Sequence, residues 1–265
     1  MTITVTSRDN KYIKEYMKAK HSRRYRYKNS IIAVEGPNLV GEALKAGLEP
    51  EVVFFDTNYL NNGGRELSDA LSVNVKQLIL TEHIFNSIAD TETPQAVAAI
   101  FPFKFEQAQN SNSEAKGPVL ILDRLQDPGN LGTIIRTAVA AGVEKLYYTS
   151  GTTDPYSPKA LRATAGLVFR LLPEPADDPL LLFSQLRQLG CQIMVASASD
   201  GLDYREADYS KPTALVIGNE ANGVSSKIIA ETDFKINIPL AEGAQSLNAA
   251  VATGILLFEI IRCRP

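Results

Sequence analysis

In the second half of the chain, short apolar runs alternate regularly with stretches of helical periodicity, and this alternation constrains the fold more than any other feature. Strand-like runs at 119–122, 146–149, 192–196, 214–217 and 234–238 are separated by helical patterns at 131–141, 159–165, 180–189 and 225–230, with a last one at 247–261. Runs that are apolar on both faces belong to parallel sheets covered by helices, so the pattern dictates an α/β domain. Such sheets bind ligands at the carboxyl ends of their strands, in the loops that lead into helices. The first half repeats the alternation more loosely, with strands at 31–34, 52–55, 77–80 and 96–100 and a helical pattern at 10–20. Between the halves, residues 106–117 (EQAQNSNSEAKG) hold no apolar side chain except alanine and read as a linker. The expected organisation is a small α/β domain at 1–105, the linker, and an α/β domain at 118–265, a division that 265 residues and 45% hydrophobic content allow.

Composition removes several function classes. Cys191, Cys263, His21 and His83 are too few and too scattered for a disulfide framework or a zinc site, so no metal is expected and a reducing cytoplasm fits best. The first residues lack the apolar region of a signal peptide, and no run approaches the roughly 18 apolar residues of a membrane span. The formal net charge of −3 argues against a nucleic-acid binder, but it hides an asymmetry. Between Arg8 and Lys28 nine cations (Arg8, Lys11, Lys14, Lys18, Lys20, Arg23, Arg24, Arg26, Lys28) face only Asp9 and Glu15, a local balance of +7, so the rest of the chain carries −10. This segment is also dotted with tyrosines.

Three loops of the second half are rich in Gly, Asn, Ser and Pro. The first, DPGNLG at 127–132, precedes a helical pattern in which Asn130 is a candidate cap and Arg136 lies one turn inside, where its guanidinium suits an anion such as an RNA phosphate. The second, GNEANG at 218–223, follows the buried-strand pattern 214–217 and offers backbone amides and the Glu220 carboxylate. It is not GxGxxG, and no GxxxxGK[ST] occurs, so dinucleotide-binding and P-loop signatures are missing. The third runs from Ile238, Pro239 and Leu240 to Ser246, Leu247 and Asn248, with Ser246 the candidate cap of a helix that is apolar nearly all round. Such a helix must be covered on two sides, by the sheet and by a second domain or subunit, and a homodimer is expected. Each loop taken alone is also compatible with a plain turn and cap.

In this order NLGTIIRTAVAAG (130–142), LVIGNEANGVS (215–225) and IPLAEGAQSLNAAVATG (238–254) resemble the three signature motifs of the SpoU, or TrmH, family of RNA ribose 2′-O-methyltransferases. Residues 1 to about 105, especially IAVEGPNLVGEAL at 32–44, resemble the family's ribosomal-protein-like α/β/α substrate-binding domain. The resemblance implies a C-terminal α/β trefoil-knot (SPOUT) domain that binds S-adenosylmethionine at Gly218, Asn219, Ile238, Leu240 and Leu247, with Ala196 and Ser197 lining the same pocket. It also implies a catalytic group of Arg136, Asn130, Glu220, Ser246 and Asn248, and gives the cations Arg8, Lys11, Lys14, Lys18, Arg23, Arg24 and Arg26 an RNA-binding purpose. Glu242 stands where the family usually has glycine, with Gly243 following, and Gln245 replaces a frequent glutamate, which bears on the shape of the third loop.

The activity so implied is methylation of a ribose 2′-hydroxyl, with large-subunit ribosomal RNA favoured over transfer RNA. A guanidinium, which keeps its proton, is a poor base. Arg136 is therefore expected to orient the substrate phosphate and stabilise charge on the oxygen, with Asn130, Ser246 and Asn248 holding loops and ribose and Glu220 fixing the loop architecture. Two other readings stand beside it: a catalytically silent RNA-binding protein of the same fold, and a Rossmann-type enzyme acting on small molecules.

Overall fold

The computed structural model describes residues 2–62, 64–90, 94–105 and 117–263; the expected linker thus falls, but for Gly117, outside the described residues. Chain contacts divide the protein into two compact units, residues 1–105 with 156–169, and 106–155 with 170–265.

The first unit contains β1 (Thr2–Val5), α1 (Lys11–His21), α2 (Arg23–Asn29), β2 (Ile31–Glu35), α3 (Pro37–Lys45), β3 (Val52–Asp56), α4 (Thr57–Asn61), α5 (Arg65–Asp69), β4 (Lys76–Leu80), α6 (Glu82–Ile88) and β5 (Val97–Pro102). The strands form one mixed sheet in the order β1-β4-β3-β5-β2, with β5 antiparallel to both of its neighbours. Ile13, Tyr16 and Ala19, spaced along one face of α1, bury against Ile31, Phe54, Leu78 and Ile100 of that sheet. α3 starts as its sequence dictates, with Pro37 in the first turn and Gly36 at φ +107° before it.

The second unit contains β6 (Val119–Leu122), α7 (Pro128–Ala140) and β7 (Lys145–Thr149). The chain then contributes α8 (Pro158–Thr164) and a 3₁₀ turn (Leu167–Phe169) to the first unit. It continues with β8 (Glu174–Ala176), α9 (Pro179–Gln188), β9 (Gln192–Ser197), β10 (Leu202–Asp203), β11 (Thr213–Ile217), α10 (Ser226–Ile229), β12 (Phe234–Asn237) and α11 (Ala249–Arg262). Its seven strands are all parallel, in the order β10-β12-β9-β11-β6-β7-β8. β6 and β11, at the centre, are buried along their whole length, as their uninterrupted apolar sequences require. Phe183 and Leu186 of α9 close one side over Ile121, Ile193 and Val216. Among the described residues no helix is long and apolar enough to cross a membrane.

Several boundaries differ from the sequence pattern, each for a local reason. α7 begins at Pro128 rather than Leu131, because Asp127, not Asn130, caps it: the Asp127 carboxylate accepts from the Asn130 N–H at 2.7 Å. α11 begins at Ala249 rather than Leu247, capped by Asn248 instead of Ser246; the Asn248 Oδ1 accepts from the N–H groups of Ala250 and Val251. The helix expected at 10–20 is followed at once by α2, because Ser22 ends α1 and its hydroxyl caps α2 by accepting from the Tyr25 N–H.

That tight turn overturns one expectation. Arg26, expected to bind RNA, is only 3% exposed, and its Nη1 donates to the carbonyls of Ala19 and Lys20 at 2.6 and 3.1 Å. Those carbonyls belong to the last turn of α1, which has no helical partner for them, so a cation folded back from α2 satisfies them. Lys20 is buried as well, donating to the Ile88 carbonyl at 2.6 Å with Asp90 3.4 Å away. Replacing Arg26 by alanine should therefore cost about 1–3 kcal/mol of stability, read from urea unfolding, because two buried carbonyls lose their donor. The salt dependence of RNA binding should stay that of the wild type.

Candidate active site at the carboxyl ends of β12, β9, β11 and β6

Four neighbouring strands of the parallel sheet end side by side, and the loops that leave them meet over one cavity of about 600 Å³, a size usual for a small-molecule site. Asn130, Ala196, Ser197, Gly218, Asn219, Glu220, Ile238, Leu240, Ser246, Leu247 and Asn248 all line it. Ile217, Ile236 and Leu256 add apolar wall from the strands and α11.

Glu220 joins the first two loops. Its Oε1 accepts from the Asp127 N–H (3.1 Å) and the Asn130 Nδ2 (3.0 Å), and its Oε2 from the Gln126 N–H (3.1 Å). Burial disfavours the carboxylate, yet the Asn130 amide and the surrounding backbone N–H groups outweigh it and hold the carboxyl below its usual range. Asn248 brings in the third loop through its Nδ2, which donates to the Asn130 Oδ1 at 2.9 Å. The network fixes both amide orientations. The Asn248 oxygen is committed to the start of α11, so its nitrogen must donate; the Asn130 oxygen receives it, leaving the Asn130 nitrogen for Glu220.

The second loop folds on itself. Asn219 and Gly223 exchange backbone hydrogen bonds at 3.0 and 2.9 Å, and the Asn219 Oδ1 accepts from the N–H groups of Ala221 and Asn222. A side chain at Gly218 would collide with the Gly223 and Val224 backbone. That glycine thus makes room for the chain itself, where the sequence suggested open amides. Beneath the loop, Asp123, only 2% exposed, accepts from the Thr149 hydroxyl (2.8 Å) and the Ser225 N–H (2.7 Å). The next residue, Arg124, sits at φ +56°, held by the Thr149 hydroxyl at its N–H and the Asn219 amide at its carbonyl. Asp123 and Asp127 escaped the sequence reading, although an aspartate directly before a proline is a recognisable helix start.

Arg136 alone of the expected catalytic and cofactor residues does not line the cavity. With α7 starting at Pro128, Arg136 lies six residues beyond Asn130, roughly 9 Å along the axis and about 120° around it. It is exposed and makes no hydrogen bond or ion pair with a described residue. In the first unit Arg8, Lys11, Lys14, Lys18, Arg23 and Arg24 are exposed, and only Arg26 of the expected RNA-binding group is buried.

The chemistry of the lining fits S-adenosylmethionine. Among the described residues no lysine or arginine lines the cavity, which disfavours a phosphate-bearing ligand, and the one charged residue that does, Glu220, is acidic, which suits a cationic sulfonium beside apolar walls. A parallel α/β sheet with such a cavity over its strand ends has the architecture of a small-ligand-binding α/β domain. Residues 117–258 match the SpoU rRNA Methylase family and residues 10–99 the MRM3-like substrate binding domain. The chain is 33% identical to the Bacillus subtilis "23S rRNA (guanosine(2553)-2'-O)-methyltransferase RlmP", over 97% of this chain and 98% of that protein. The AdoMet-bound rRNA methyltransferase of Sinorhizobium meliloti is 32% identical and superposes with a TM-score of 0.85, covering 98% of each chain. The structure of the A. aeolicus TrmH/SpoU tRNA modifying enzyme is 34% identical with a TM-score of 0.50, covering 57% of this chain and 77% of that one. This chain belongs to the SpoU family of rRNA methylases and has its SPOUT α/β architecture.

Because Glu220 ionises more readily folded than unfolded, its contribution to stability is complete above about pH 4.5 and is lost as pH falls through the lower folded value. A Glu220→Gln variant should unfold at lower temperature than the wild type at neutral pH, and the gap in Tm should narrow on acidification below about pH 4.5.

Proposed function

We propose that the chain methylates a ribose 2′-hydroxyl of large-subunit ribosomal RNA, with residues 118–265 as the methyltransferase domain and 1–105 as the substrate-binding domain. It is an S-adenosylmethionine-dependent RNA 2′-O-methyltransferase. One observation carries the site reading: the three separated motifs meet at one cavity, tied by the Asn248–Asn130–Glu220 hydrogen bonds. Ribosomal over transfer RNA is favoured because the ribosomal RNA enzymes named above cover nearly the whole chain, both units included, whereas the tRNA modifying enzyme covers 57% of it. A cytoplasmic location is part of this proposal, supported by the bacterial ribosomal RNA methyltransferase named above.

When bound, the cofactor supplies an electrophilic methyl carbon and a neutral thioether leaving group, so no residue need protonate the departing sulfur. What remains for the protein is to align a hydroxyl that is barely ionised at neutral pH, an effect worth about 7–11 kcal/mol in favourable cases. Asn130 and Asn248, locked by Glu220 and by the start of α11, present fixed polar groups at the cavity. The Ser246 hydroxyl makes no hydrogen bond with a described residue and is available to the ribose. Gly218, Asn219, Ile238, Leu240, Leu247, Ala196 and Ser197 hold the cofactor.

The protein acts as a homodimer through α11 and α7, and Arg136 reaches the cavity of the facing subunit. Support comes from α11, which leaves Val251 and Phe258 half-exposed, and from its packing along α7. Arg136 is exposed on that same α7. There its guanidinium orients a phosphate and stabilises charge building on the attacking oxygen.

Two measurements test this. Arg136→Lys, which loses the planar fork, should lower the single-turnover methylation rate on ribosomal RNA about 10²-fold at saturating cofactor. Arg136→Ala and Asn248→Ala should each be inactive alone yet regain activity when mixed and reassociated, since one site of each mixed dimer is then complete; no recovery would mean that Arg136 acts within its own chain.

A further inference from the structure

The seven exposed cations between Arg8 and Lys28 explain attraction to a polyanion but not which form of RNA is held. The tyrosines among them carry more information. Tyr16 is buried against Phe54 and serves the core. The other three, Tyr12, Tyr25 and Tyr27, are half-buried, and each has a cation over its ring: Lys11 and Lys76 lie 4.7 and 4.5 Å from the Tyr12 centroid, Lys18 lies 5.8 Å from Tyr25, and the Arg23 guanidinium 5.2 Å from Tyr27. Such pairs occur about once per 70–80 residues, and at exposed sites each is worth only about 0.5–1 kcal/mol, so fold stability does not account for four of them on three neighbouring rings.

Their setting is that of a binding surface. Lys11, Lys14 and Lys18 share one exposed face of α1 at spacings of three and four residues, and Lys18 reaches across to Tyr25 on α2. Tyr27 is backed by Phe105, whose ring stacks on it at 4.0 Å and 13°. Tyr12 is steadied at its hydroxyl by the Lys76 ammonium at 2.5 Å. Backed rings interleaved with exposed cations match unpaired nucleotides, whose bases stack on aromatic faces while their phosphates take the positive charge; a duplex keeps its bases stacked on each other and needs the cations alone.

We propose that the α1–α2 surface is a stacking platform for unpaired nucleotides of the RNA substrate. Tyr12, Tyr25 and Tyr27 receive bases, and Lys11, Lys18 and Arg23 pass from the rings to neighbouring phosphates. The inference rests on the reading of residues 1–105 as the substrate-binding domain and deepens it by naming the form of RNA bound.

The test uses the full chain and a single-stranded oligoribonucleotide carrying 2-aminopurine, with a duplex of the same sequence beside it. Wild type should bind the single strand more tightly and quench its fluorescence. Tyr25→Leu and Tyr27→Leu should each weaken single-strand binding about 10-fold and relieve quenching, leaving the salt slope and duplex binding unchanged. Tyr25→Phe and Tyr27→Phe should restore both. Lys18→Gln should instead weaken single strand and duplex alike and reduce the salt slope by about 0.7 on the single strand. Tyr27, outside the core cluster that Tyr25 borders, keeps the test valid if Tyr25→Leu unfolds. Leucine variants that bind and quench as the wild type does, while Lys18→Gln is weakened, would overturn the stacking platform and leave a purely electrostatic RNA surface. Tyrosine and lysine variants that all bind as the wild type does would overturn the RNA-binding reading of this unit as well.

Discussion

The site depends on one carboxylate. Glu220 takes up two backbone N–H groups at the loop before α7 together with the Asn130 amide, and through Asn130 it is linked to Asn248. Three loops that lie far apart along the chain are thereby held in one arrangement before any ligand arrives. A half-exposed carboxylate with three donors stays ionised without an ion-pair partner, which spares the cavity a lysine or arginine and keeps its wall suited to a cationic ligand.

The sheet explains why these loops can meet at all. In the order β12-β9-β11-β6 all strands point the same way, so the segments that follow them emerge at one edge although 90 positions separate Asn130 from Glu220 and 118 separate it from Asn248. Asp123 and Arg124 anchor this arrangement: a buried aspartate ties the end of β6 to Thr149 and Ser225, and the residue after it accepts a left-handed backbone that two partners hold in place.

The two units divide the work by charge. Cations gathered at the start of the first unit face solvent over tyrosine rings, whereas the cavity of the second has none. Under the proposed function, the first unit's cations attract the polyanion and the second unit's cavity takes the methyl donor, so neither has to compromise the other's electrostatics. Two of the cations counted from sequence do a different job: Arg26 and Lys20 satisfy helix-end carbonyls and are out of reach of any ligand.

From sequence alone, the α/β class, the parallel second domain and the loops worth inspecting were legible, because strand burial and helix periodicity are local signals written in consecutive residues. The residues that line the cavity were legible through the order of the three motifs, from Asn130 to Gly218 to Ser246. What only the tertiary structure decided were relations between distant groups: that Asp127 and Asn248 cap the helices assigned to Asn130 and Ser246, that Gly218 yields space to Gly223, that Arg26 turns inward, and that Arg136 points away from its own cavity. Starting α7 three residues earlier puts Arg136 almost one turn further from the helix mouth, and the cap that sets that start is chosen by competition among nearby oxygens for the same N–H groups, which composition and spacing do not rank.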